Sequence, residues 1–123
     1  MENYSYNKLI VWQKASGLAI VIYKMTDIFP KSELYGLTSQ ICRCVVSIVS
    51  NISEGAVRSY KKEFIQFLMT VFGPGAELET QLLLAKEPGF LSETDFNKAN
   101  ELLGEVMKML NALTLKLKLT TSD

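Results

Sequence analysis

The polar residues Gln40, Arg43, Ser47, Asn51, Glu54 and Arg58 recur at steps of three and four through a stretch that is otherwise almost wholly apolar. At about 100° per residue they share one stripe of a helix with Ser50. Two chemistries suit that stripe. In the first, Arg43 and Arg58 meet phosphate while Gln40, Ser47 and Asn51 add hydrogen bonds. In the second, Asn51 and Glu54 satisfy groups at a helix or subunit interface and fix its register. Only three charged residues, Arg43, Glu54 and Arg58, fall between Gln40 and Tyr60, which favours the structural role.

Catalytic chemistry finds little support in the rest of the chain. There is no histidine, so the commonest general base and transition-metal ligand are missing. Glu77 and Glu79 are the best carboxylate grouping, but residues two apart on a helix diverge, and no Glu-x-x-His builds a carboxylate-bridged metal site. A solvated helix face accounts for them. Ser47, Ser50 and Ser53 have no histidine or nearby lysine to activate them. Gly73-Pro74-Gly75 lacks the following Lys-Ser/Thr and the preceding strand of a phosphate cradle. The expectation is a protein with no catalytic residues, no metal and no cofactor.

Thirteen basic residues balance thirteen acidic ones, so any pull on nucleic acid must be local. Cys42 and Cys44 point to nearly opposite sides of a helix, so they neither pair nor share a metal. Buried free thiols in a reducing compartment follow. The start Met1 to Lys8 has no basic region feeding an apolar segment, and the apolar run Leu18 to Tyr23 is too short to span a bilayer. The expected location is the cytoplasm, with no membrane partner.

At 123 residues and 48% hydrophobic composition, the chain has the length of one domain and the means to pack a core. Its periodicity predicts four helices. The first runs from about Asn7 to Ile28 with the stripe Leu9, Trp12, Ser16, Ala19, Tyr23 and Thr26, and Pro30 stops it. The second starts after Lys31-Ser32, with Ser32 as N-cap, and continues to about Ser59, Gly36 and Gly55 being tolerated costs or close-packing positions. The third begins near a Ser59 cap and carries Phe64, Leu68, Val71, Gly75, Leu78, Leu82 and Ala85. Pro74 costs a helix interior about 3 kcal/mol, yet the spacing keeps its phase across it, so one helix kinked near Pro74 is expected. The fourth runs from the cap Ser92 to about Lys118 with Phe96, Ala99, Leu103, Val106, Leu110, Leu113 and Leu117, and Asp95 suggests a capping box. The tail from Thr120 to Asp123 is expected to fray.

Short connections make neighbouring helices antiparallel, an all-α up-down-up-down four-helix bundle. In that topology, residues 1–17, 48–70 and 106–123 share one end. Lys8, Lys14, Arg58, Lys61, Lys62, Lys108, Lys116 and Lys118 there face Glu2, Glu54, Glu63 and Asp123, eight against four, a net of +4. Arg58, Lys61, Lys62, Lys116 and Lys118 are thus candidate phosphate contacts. Complementation of the helix dipole explains the late lysines equally well. The apolar arc of the second helix exceeds the roughly 100° that one core needs. Val46, Val49 and Ala56 lie well round from Cys44, Ile48 and Ile52, so self-association is the simple reading.

The run Gln40 to Gly55, followed by Arg58 and Glu63-Phe64, resembles the signature of the four-helix-bundle proteins encoded in intervening sequences of 23S ribosomal RNA genes, often labelled ribosomal proteins. The likeness extends to Val11 through Ala15, Phe29-Pro30, Tyr35 through Leu37, Ala76 through Thr80 and Gly89 through Leu91, nearly the whole chain. It implies a homopentameric barrel, as in the accessory proteins of diversity-generating retroelements, in contact with RNA or DNA or with a reverse transcriptase. Two departures stand out. Similar sequences carry a second arginine where this chain has Cys42, which weakens nucleic-acid binding, and a glycine followed by a small residue where it has Gly73-Pro74. A nucleic-acid-associated accessory protein, a protein-binding scaffold without nucleic acid, and an enzyme whose site forms only between subunits are the three functional readings.

Overall fold

A computed structural model describes residues 5–120. The described chain is all α-helical: α1 spans Ile10–Thr26, α2 Leu37–Ala56, α3 Lys61–Thr70, α4 Phe72–Lys86 and α5 Glu93–Thr120, with short 3₁₀ turns at Tyr6–Lys8 and Lys31–Glu33. Because α3 and α4 are separated by Val71 alone, the described residues count four helices. The expectations for residues 1–4 and for the tail beyond Thr120 lie outside the described residues.

The helix ends differ from the expected ones in instructive ways. Ser32 falls inside the 3₁₀ turn and caps nothing, and Gly36 occupies the N-cap position of α2. Tyr60, not Ser59, precedes α3, in extended geometry. Ser92 does cap α5: its Oγ accepts a hydrogen bond from the Asp95 amide at 3.1 Å. Caps are chosen by how the loop arrives, which a local Ser cannot dictate. Gly89, at φ +87°, makes the turn between α4 and α5, a conformation costing other residues about 1–2 kcal/mol.

Between α3 and α4, Pro74 has no amide hydrogen to offer the carbonyl of Thr70, four residues back. The ladder is bridged instead by the Val71 amide donating to Leu68 at 3.1 Å and the Gly75 amide donating to Val71 at 2.9 Å, with Val71 itself helical at φ −73°, ψ −22°. The apolar phase therefore survives the interruption, and Phe64, Leu68, Val71, Gly75, Leu78, Leu82 and Ala85 are all buried.

One core gathers these side chains with Ile41, Val45, Ile48 and Ile52 of α2 and Ala99, Leu103, Val106 and Leu110 of α5. On α1 the buried face is Val11, Ala15, Leu18, Ile22, Met25 and Thr26, about one residue round from the expected stripe except at Thr26, which belongs to both; Tyr23 is half exposed. This helix is apolar nearly all round, so periodicity alone does not choose its inner face. Ala56 is fully buried in the same core, contrary to its expected outward set, whereas Val46 remains 42% exposed and Val49 half-buried.

Several contacts join distant parts of the chain. Thr26 Oγ1 lies 3.6 Å from Cys42 Sγ, the Lys14 ammonium is 3.0 Å from Glu105, and Lys61 Nζ donates to the Thr120 carbonyl at 3.3 Å. Gly55 lies so close to α3 that an added Cβ would sit 2.7 Å from Phe67 Cβ and 3.0 Å from Phe64 Cδ1. Of the two roles the sequence allowed for Gly55, close packing is the one it performs.

Candidate ligand cleft and basic end

Two places collect the sequence candidates, and they divide the polar stripe between them. Gln40, Arg43, Cys44 and Ser47 follow one another turn by turn along α2. Pro74, Glu77 and Gln81 do the same along α4, and together they line a cleft of about 380 Å³. This is within the size range of small-ligand sites. Gln40, Arg43 and Glu77 are exposed, whereas Cys44 and Gln81 are each only 8% exposed.

Within the cleft the Cys44 thiol donates to Glu77 Oε2 at 3.5 Å. Burial, and next the Glu77 carboxylate, push that thiol above its ordinary pKa, while Gln81 pulls weakly the other way. Cys44 is thus held as a neutral thiol, a poor nucleophile. Arg43 and Glu77 form no ion pair among the described residues, although they border the same cleft. Gln81 Oε1 is buried without a hydrogen-bond partner.

The remainder of the stripe turns inward on its own helix or toward α3. Asn51 Nδ2 donates to the Ser47 carbonyl at 2.8 Å and to Ser47 Oγ at 3.3 Å, and the Ser50 carbonyl accepts from Ser53 Oγ at 3.0 Å. Glu54 is exposed. The Arg58 guanidinium lies over the Phe67 ring, 4.7 Å from its centroid, a cation–π contact.

At the basic end, the bond from Lys61 to Thr120 brings the start of α3 against the end of α5. Lys61 there meets a C-terminal carbonyl, as dipole complementation requires. Lys62, Lys116 and Lys118 are exposed. Arg58 and Lys61 therefore carry local structural contacts; of the five candidates, Lys61 is half-buried and Arg58 is exposed together with the three remaining lysines.

The cleft's second wall was not among the sequence candidates. Pro74, Glu77 and Gln81 share one helical face at i, i+3 and i+7, but nothing local in the sequence says which helix that face meets. Glu77 and Glu79 do diverge: Glu79 borders a different cleft, with Phe72, Gly75 and Met107. Cys42 and Cys44 are both free; Cys44 is buried, but Cys42 is only half-buried. Among the described residues, no three Cys, Asp or Glu side chains gather as a metal site, and no helix is long and apolar enough to cross a membrane.

The described residues form an all-α fold of helices packed around one core, with polar groups lining a cleft between two of them and lysines at one end, and so define the class as helical. The chain matches the 23S rRNA-intervening sequence protein family over residues 7–112, and it belongs to that family. It is similar in fold to a solved protein of unknown function from the S23 ribosomal protein family of Bacteroides thetaiotaomicron VPI-5482, with a TM-score of 0.76 and 21% identity. That similarity covers 85% of this chain and 97% of the solved one. No curated protein matches the chain.

Proposed function

We propose that this is a non-catalytic, homo-oligomeric accessory protein of the cytoplasm that associates with RNA through its lysine-bearing end. The observation that carries the reading is the 3.3 Å bond from Lys61 to the Thr120 carbonyl, which brings Lys62 of α3 close to the α5 terminus bearing Lys116 and Lys118. The same bond supports helices that alternate in direction, as do the contact of Thr26 with Cys42 and that of Lys14 with Glu105. In that arrangement α3 and α4 act as one helix bent at Pro74, whose missing amide hydrogen and ring disturb the preceding turn.

Self-association rests on the apolar surface that one copy leaves uncovered. Tyr23 and Cys42 border one cleft between α1 and α2. One turn away along each helix, Ile20 is 56% and Val46 42% exposed. Five subunits is the number that family resemblance implies, and a ring of five would repeat the basic end fivefold.

The test is binding of a fluorescent oligouridine over a salt series. Affinity should fall as salt rises, by about 0.7 in logarithmic slope for each phosphate contact. Replacing Lys61, Lys62, Lys116 and Lys118 with glutamine should weaken binding at unchanged oligomer mass, and Arg43→Gln should matter less. Unaltered affinity after the lysine changes disposes of this end as the site. If no oligouridine or DNA is bound at low salt, the alternative takes over: an oligomeric protein-interaction scaffold, for a reverse transcriptase or another protein.

A further inference from the structure

The cleft between α2 and α4 sets donors and acceptors on opposite walls. Arg43 offers N–H donors from α2, and Glu77 offers carboxylate oxygens from α4. They border one cavity of about 380 Å³ without closing into an ion pair, and Glu77 Oε2 takes only the long 3.5 Å hydrogen bond of the Cys44 thiol, which leaves further lone pairs on both its oxygens for something placed between the walls. Gln81, only 8% exposed and with its Oε1 unpartnered, adds an acceptor on the α4 side whose orphaning is otherwise unexplained. Opposite charges on the two walls sum to zero, which suits a neutral polar group lying between them, whatever the charge of the rest of the molecule that carries it.

We infer that this cleft binds a guanine base, either in a free nucleotide or as an unpaired residue of an RNA strand. The occupant must present acceptors to an arginine and two adjacent N–H donors to a carboxylate. Guanine carries O6 and N7 acceptors, which arginine binds in bidentate fashion, and its N1–H and N2–H groups lie side by side to meet both oxygens of one carboxylate. Adenine and cytosine have a single exocyclic amine on that edge, and uracil a single N–H. Unpaired bases are the form in which such edges are open to side chains. The RNA form of the inference rests on the proposed RNA association; the free-nucleotide form does not.

The experiment titrates guanosine, inosine and adenosine monophosphates into the intact oligomer by calorimetry. It is paired with anisotropy of a guanine-containing oligoribonucleotide against an oligouridine of equal length. Inosine lacks the N2 amine, so it should bind about tenfold more weakly than guanosine, and adenosine more weakly still. Glu77→Gln should remove the difference between guanosine and inosine, while Arg43→Gln weakens both by a similar factor. Both side chains are exposed, so neither change threatens the core. Binding of the nucleotide itself supports the free form, and binding of the guanine strand alone supports the RNA form. Equal binding of adenosine and guanosine, preference for a free amino acid, or no guanine preference in either assay overturns the inference. Oligouridine binding without guanine preference removes the cleft and leaves the lysine end standing. Guanine preference without oligouridine binding does the reverse.

Discussion

Cys44 shows how far a residue's chemistry depends on what tertiary packing sets beside it. Its divergence from Cys42 is a matter of helical angle, but Glu77, 33 positions along the chain, is the partner that accepts its hydrogen bond at 3.5 Å. A raised thiol pKa means that the folded protein holds the proton where the unfolded chain would release it. The contribution to stability is therefore complete below the ordinary thiol pKa of 9.0 and is lost as pH rises through the higher folded value. Cys44 should accordingly react slowly with a thiol probe near neutral pH, and the half-buried Cys42 faster. Glu77→Gln takes away both the carboxylate acceptor and its charge, so Cys44 labelling should speed up in that variant. Equal labelling rates in the two proteins would show that burial alone holds the proton.

Among the helices, α2 approaches α3 closely at Gly55. A methyl group there meets the Cβ of Phe67 and the ring of Phe64, neither of which yields cheaply because Phe64 is 1% exposed in the core. Gly55→Ala should destabilise by about 1–3 kcal/mol, read as a lower midpoint in urea. Gly75 offers a control between α4 and α5. Its added Cβ would come within 2.7 Å of Met107 Cε, the far end of a flexible side chain, so Gly75→Ala should cost less. If the two variants lose stability equally, rigidity of the neighbour is not what distinguishes them. At the α5 terminus, Ser92→Ala removes the 3.1 Å cap to Asp95 and should cost about 1 kcal/mol.

For the whole molecule, what matters is how much apolar surface one copy leaves in water. Ala56 joins the core, so α2 alone presents less outward apolar area than its wide arc implies, yet Val46 on α2 and Ile20 and Tyr23 on α1 stay open. Light scattering at micromolar concentration should return a mass of several subunits, five on the family's pattern. Val46→Glu should shift that mass toward the monomer without loss of helical circular dichroism, because the residue is not in the core. A monomer in the unaltered protein would sink the oligomer, and a stable dimer would remove the pentamer alone.

Helix content, the inner faces of α3 and α4, that of α5 apart from its last turns, where Thr114 is buried and the expected Leu113 only half-buried, and the angular stripe Gln40, Arg43, Ser47, Asn51 were legible in the chain itself, because helical period is local and survives even Pro74. Three things were not. The inner face of α1 was ambiguous because nearly all of its faces are apolar, and only packing against α2 and α5 selected Leu18 and Ile22 over Trp12 and Tyr23. Helix starts at Leu37 and Lys61 followed the approach of the loops, not the nearest serine. The cleft itself needed two helices brought together: Arg43 and Glu77 are 34 positions apart, each unremarkable on its own helix. Periodicity reports where a side chain points around its axis; which side chain it then faces is decided by packing between elements.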